Sequence, residues 1–455
     1  MLGLFIVIYL LITVLIGVYA SKFIKSEKDY LLAGRSLPLS LSTFALFALW
    51  FGSETILGAP SEFVEKGLIG VIEEPFGAAL CLFLAGLLII KPLYRMNLLT
   101  FGDFFKVRYG KKVEIISSFF LIVSYFGWIA AQFVAFGIVF KTITGLNTNL
   151  SILIGFFVVV FYTYIGGMWA IALTDFIQTI VIIIGLSFAF YEIYNQIPSI
   201  SEIFNKLPPD FFRFYPEFNL KDILAYITAW IIIGLGSLPG QDLFQRFMSS
   251  KSEKVAVYSS YFAGFMYLTV ALIPLFLALF GKFLIPTENQ IDLPTIIMQK
   301  CSFITQVLFF GALVSAILST ASAAILAPSA ILSENILKYL FPSLTDKTLL
   351  FITKISVLFV AFLSLIIAFS GSSIYELVAS SSVITLVSLF APFIFGLYSK
   401  KVSSKFALIS MLSGFISWFV LEFIFKYEFS VLVGFFISNF VILFEIITKK
   451  GVNHA

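Results

Sequence analysis

A helix needs about 20 predominantly apolar residues to cross the hydrocarbon of a bilayer, and this chain of 455 residues is built from runs of that kind. Bounded by charged residues or by Gly, Pro and Asn clusters, they fall at 2–22, 38–60, 67–91, 113–140, 148–168, 174–194, 222–244, 256–281, 304–337, 350–369, 374–398, 404–425 and 428–448. The expectation is an all-α polytopic membrane protein of about 13 transmembrane helices, a single membrane domain over 1–455 with nothing left for a soluble one. Charged residues make up 12% of the chain, against about a quarter in soluble proteins. That excludes secreted disulfide scaffolds, disordered tails and nucleic-acid-binding domains. The first run has no positive segment before it and continues to Lys22, so it reads as a retained helix rather than a signal peptide.

The side of the membrane follows from Lys and Arg in alternate connections. Of the 29 basic residues, 21 fall on one side and 8 on the other. The richer side is cytoplasmic, which puts the N-terminus outside and the C-terminus inside a multi-pass protein of the cell (cytoplasmic or inner) membrane. Cys81 and Cys301 read as buried small hydrophobes, with a disulfide as the other reading. The single histidine, His454, lies in the hydrophilic tail, too isolated for a His-based metal site or a Ser-His-Asp triad.

Polar groups and helix breakers at bilayer depth point to a binding route, because they are costly there. In the second run, Gly52-Ser53 sits beside Glu54 and Thr55. It reads as a kink with Glu54 toward a water-filled vestibule, or as an unwound segment exposing the Ala48 and Phe51 carbonyls to a hard cation. In the ninth, Val314 to Ala324 is a small-residue packing face, or a set of oxygens from Ser319 and Thr320, with Ala316 one turn earlier, facing the broken second run. Glu73-Glu74-Pro75 is an interfacial pair or a coupling site. Gly166-Gly167 is a tight cytoplasmic hinge, followed by Asp175 and Gln178 one turn apart, where capping is the simplest role.

These segments together resemble the sodium:solute symporter family, over nearly the whole chain. Asp29 to Leu37 is similar to the family's approach to its second span, and Gly58-Ala59-Pro60 to its exit. Tyr-Thr-x-x-Gly-Gly…Thr-Asp-x-x-Gln from Tyr162 to Gln178 is the most specific match. Gln241 to Met248 and Ser319-Thr320-Ala321-Ser322 complete the set. The resemblance implies a LeuT-like inverted five-helix repeat, with 38–194 (spans 2–6) and 222–398 (spans 7–11) as its halves and 404–448 as two accessory spans. It implies a Na⁺ site from the carbonyls of Ala48, Phe51 and Ala316 and the hydroxyls of Ser319 and Thr320, with Asp175 at a second ion or on the exit path.

Local motifs look most like the choline-transporter branch. There Trp50 and Trp128 match two aromatics of a cage that holds a quaternary ammonium by cation–π attraction, while Gly240 stands where the branch has a third Trp. Trp50 also replaces an acid typical of proline-type members. The solute site implied is Trp50, Gly52, Glu54, Trp128, Gly240 and Gln241, with Glu54 as charge partner for an amine and Trp128 alternatively a packing aromatic. The expected function is Na⁺-coupled symport of a small organic solute (an amine, an amino acid, or a choline- or proline-like molecule) by alternating access, with Na⁺ as coupling ion. The expected partners are the solute, Na⁺ and the lipid bilayer, with no nucleic acid and no protein partner. The alternative is a membrane solute sensor on the same fold; it expects an output domain, and about seven residues follow the last run. An enzyme would need a catalytic cluster, and the acids are scattered.

Overall fold

The computed structural model describes residues 2–285, 293–341 and 345–452; His454 lies outside them. Among the described residues the regular structure is helical, with one isolated backbone bridge between Leu37 and Ser250. In chain order the principal helices are α1 (Leu2–Ser21), α2 (Leu39–Trp50), α3 (Glu54–Lys66), α4 (Leu68–Met96), α5 (Lys111–Thr144), α6 (Thr148–Tyr194), α7 (Leu220–Gly236) and α8 (Gln241–Met248). They continue as α9 (Glu253–Leu284), α10 (Phe303–Leu340), α11 (Lys347–Ala368), α12 (Ile374–Ser388), α13 (Phe390–Tyr398), α14 (Ser404–Ile424) and α15 (Ser430–Thr448). Among the described residues, nine helices are long and apolar enough to cross a membrane, or twelve when each bent pair counts as one span; Thr148–Phe161 is a shorter apolar helix.

Burial sorts these helices. In α10, 94% of the most apolar window is buried, against 28% in α14 and 29% in α1. A helix rich in Ala, Ser and Gly can be surrounded closely on all sides, and α10 packs against α5, α6, α2 and α8. The outer helices instead expose Phe, Leu and Ile, as a lipid-facing surface requires. Chain re-entry into helices is fixed by capping boxes at Ser26 with Asp29, Thr100 with Asp103 and Ser373 with Glu376, each satisfying two amide groups that the first turn leaves open.

Three spans are broken. α2 and α3 meet at 56°, α7 and α8 at 47°, α12 and α13 at 48°. The first break falls at the Gly52-Ser53 pair. The second follows from Pro239, which cannot donate to the carbonyl one turn earlier; Leu235 accepts from Leu238 N–H instead, at 3.2 Å. The third was not expected in a run read as one span, and Pro392 accounts for it by removing the N–H that would reach Ser388.

The two runs at 148–168 and 174–194 form one element, α6, turned at Gly167, whose φ of 51° and ψ of −164° are left-handed. A Cβ there would lie 2.5 Å from the Tyr30 ring. Gly167 is therefore the hinge, and Asp175 lies about two turns beyond it, too far along the helix to cap it.

Candidate ion and solute sites

α2 ends because Gly52 N–H turns back to the carbonyl of Trp50, at 2.7 Å. The Ala48 carbonyl, which that amide would have satisfied in a continuing helix, is met by α10. Ser319 Oγ lies 3.0 Å from it and Thr320 Oγ1 3.4 Å. Ser319 Oγ also bonds Asp175 Oδ1 on α6. Each hydroxyl has one proton and two lone pairs, so carbonyl, carboxylate and hydroxyls converge as an oxygen cluster suited to a hard cation. Phe51, at the end of α2, and Ala316, one turn before Thr320, are both fully buried beside it.

Asp175 is held on its other side by Arg246 of α8, with Nη2 3.7 Å from Oδ2 and both side chains wholly buried. Arg246 is one of the 21 basic residues counted on the richer side of the membrane. It is instead an interior cation, and its partner explains how it can be.

Gly52 has a steric role. A Cβ built there would stand 2.6 Å from Thr320 Oγ1 and 3.0 Å from Glu54 Oε2. The unwound segment thus comes within a hydrogen's width of α10, and only glycine fits.

A cavity opens next to this cluster, lined by Trp50, Glu54, Glu74, Tyr125, Trp128, Gly240 and Asp242 together with Ser124, Ser237, Ser381, Ser382 and Thr385. The breaks in α2–α3 and α7–α8 supply its acids. Trp50 Nε1 donates to Asp242 Oδ2 at 2.8 Å, and Tyr125 hydroxyl bonds the other carboxylate oxygen. Glu54 accepts from Trp128 Nε1 at 3.2 Å, Gln132 Nε2 at 3.1 Å and Ser53 Oγ at 3.3 Å. Glu74 accepts from Thr55 Oγ1 at 2.7 Å.

Of the residues expected to hold solute, Trp50, Glu54, Trp128 and Gly240 line this cavity together. Gly52 sits between it and Thr320. Gln241 does not reach it: its Oε1 takes the N–H of Phe101 at 2.6 Å. Sequence reasoning missed Glu74, Asp242 and Tyr125. The first two carried a signal, an acid inside an apolar run, but in each pair of polar neighbours it did not tell which residue faces inward. Of the Glu73-Glu74 pair, Glu74 lines the cavity, whereas Glu73 Oε2 is buried without a hydrogen-bond partner. Tyr125 is one aromatic among many and gave no signal. Cys81 and Cys301 are both buried and free.

A helical membrane bundle with broken spans, an oxygen cluster at one break and a cavity lined from two of them defines a secondary transporter. The chain belongs to the sodium:solute symporter family, whose profile matches residues 30–414. Na⁺-coupled symport of a solute is its activity and Na⁺ its coupling ion. It is 24% identical over 433 residues to the high affinity choline transporter 1 of Homo sapiens, covering 90% of this chain and 74% of that one. It is also 27% identical over 420 residues to the high-affinity proline transporter PutP of Bacillus subtilis, covering 88% of each. The structure of a Na⁺-coupled sialic acid symporter in a substrate-bound outward-open state superposes with a TM-score of 0.83 at 19% identity, over 97% of this chain and 96% of that one; that likeness establishes the fold.

Proposed function

We propose that this symporter carries a small organic amine, held by its ammonium group against Trp50, Trp128 and Glu54. The observation that carries the reading is the cavity wall itself: two indoles and three carboxylates, with no basic side chain among the described residues that line it. Aromatic faces and carboxylates both attract an organic cation. The relatives named for choline and proline fit an ammonium-bearing solute, and the Ser and Thr residues of the lining add hydroxyls for its remainder.

The Na⁺ site is formed by the carbonyls of Ala48, Phe51 and Ala316 with the hydroxyls of Ser319 and Thr320; Asp175, bonded to Ser319, serves a second ion or the exit path. Because Glu54 and Thr320 both approach Gly52, ion and solute occupy adjoining ground, and Na⁺ stabilises the solute-binding conformation. A driving force of about 100 mV is worth about 2.3 kcal/mol per charge, enough for more than about tenfold accumulation per ion.

The repeats are 38–194 and 222–398, supported by broken helices at the start of each half, followed by accessory spans over 404–448. Counting Thr148–Phe161 as a span makes thirteen, with the N-terminus outside, the C-terminus inside and the chain in the cell membrane, a reading supported by the division of basic residues, 20 to 8 once the interior Arg246 is left out. A thermal-shift screen of the purified protein in Na⁺ and in K⁺, with choline, betaine, proline, pantothenate and simple amines, tests the function. Stabilisation by an amine in Na⁺ alone is the expected result; stabilisation by none, or equally in K⁺, refutes it.

A further inference from the structure

Where a transporter helix is broken, the second half-helix begins with free N–H groups and the positive end of its dipole, the natural seat for a carboxylate on the solute. Here both such seats are taken by the chain's own acids. Glu54 is the first residue of α3 and Asp242 the second of α8, and both are buried. The indole pairing is crossed. Trp50, before the first break, donates to the acid at the second, and Trp128 donates to the acid at the first. Gly240 makes room for this arrangement, since a Cβ there would lie 2.5 Å from Asp242 Oδ1. Glu74 adds a third carboxylate, and the rest of the lining is uncharged, with hydroxyl residues such as Ser237 and Thr385 beside Ile233 and Val378.

From this placement we infer that the cavity selects amines without a carboxylate and rejects the amino acids and betaines that differ from them by that one group. The inference rests on the amine reading above and narrows it. A zwitterion would bring its carboxylate to helix ends that are already neutralised and to walls with no cationic partner. Like charges brought together in this way lower affinity by on the order of 100-fold or more.

The test uses matched pairs on the purified full-length protein in Na⁺: choline against glycine betaine, ethanolamine against serine, pyrrolidine against proline. The expected result is that the amine of the best-bound pair binds at least about 100-fold more tightly than its carboxylated partner. Asp242→Asn, or Glu74→Gln should the first variant fail to reach the membrane, narrows that ratio at least about tenfold. A carboxylated partner that binds as tightly as its amine overturns the inference while leaving the amine reading intact. If no member of any pair binds in Na⁺, the amine reading itself falls and the inference with it.

Discussion

Ser319 Oγ stands 3.0 Å from the backbone carbonyl oxygen of Ala48, and so joins the most buried helix of the bundle to a carbonyl that the break in α2 leaves without its helical amide. Removing that hydroxyl and its neighbour tests the ion site directly. Ser319→Ala with Thr320→Ala is expected to raise the Na⁺ concentration for half-maximal uptake by at least about tenfold, since a ligand to a charged group contributes about 1.5–3 kcal/mol. Uptake into proteoliposomes against Na⁺ concentration measures it, with gel filtration to show that the variant is intact. An unchanged Na⁺ dependence would refute the site.

Gly52→Ala places a methyl 2.6 Å from Thr320 Oγ1 and 2.9 Å from its Cβ. Both helices are packed from behind, so the clash should cost about 1–3 kcal/mol and weaken Na⁺ binding as Thr320 moves. Scanning fluorimetry with and without Na⁺ reads both effects. A variant with the parent's melting temperature and Na⁺ response would show that the contact is slack.

Asp175→Asn removes the carboxylate that lies 3.7 Å from Nη2 of the buried Arg246. The expected loss is about 3 kcal/mol, at the lower end for a broken buried pair because the amide can still accept a hydrogen bond. Pairing it with Arg246→Met should restore much of the stability. A double variant no more stable than Asp175→Asn alone would mean that the two charges are not coupled.

Trp50→Phe keeps an aromatic face but removes the indole N–H that reaches Asp242 at 2.8 Å. Leaving a buried carboxylate short of a donor costs about 1–3 kcal/mol, so solute affinity should fall roughly tenfold or more while the Na⁺ half-saturation stays near the parent's. Titrating solute and Na⁺ separately distinguishes the two. Equal losses in both would place Trp50 in the ion site instead.

Burial pushes the Cys301 thiol, which lies just before α10, up to about 12. A raised pKa keeps the neutral thiol as the dominant form at every pH below it, so alkylation between pH 7 and 9 should be slow and reductant without effect on uptake. Rapid labelling of Cys301 by iodoacetamide at pH 8 in the folded protein would contradict this.

Much of the oxygen cluster around Ala48 was legible in sequence because its parts violate a rule that holds along most of the chain. A Gly-Ser pair and adjacent hydroxyls in apolar runs are costly at bilayer depth, and Gly52, Ser319 and Thr320 stand out for that reason. The solute cavity was only partly legible. Trp50, Glu54 and Trp128 were picked out, whereas Gln241 was assigned to a cavity it does not reach and Asp242, its neighbour, was passed over. Adjacent residues on a helix point about 100° apart, and nothing local says which of two polar neighbours faces inward.

The sequence by itself determined that the chain is a helical membrane bundle and where most of its helices lie, since bilayer thickness and backbone satisfaction leave few alternatives. It also marked Gly167 as a hinge and the Gly52 region as a break. Only the tertiary structure decided that Arg246 is interior and held by Asp175, that Trp50 and Trp128 serve acids on helices far away in the chain, and that Gly240 is the gap into which Asp242 folds. The ion pair and the two indole contacts join residues between 71 and 192 positions apart. Local periodicity carries no record of such pairings; close packing of helices creates them.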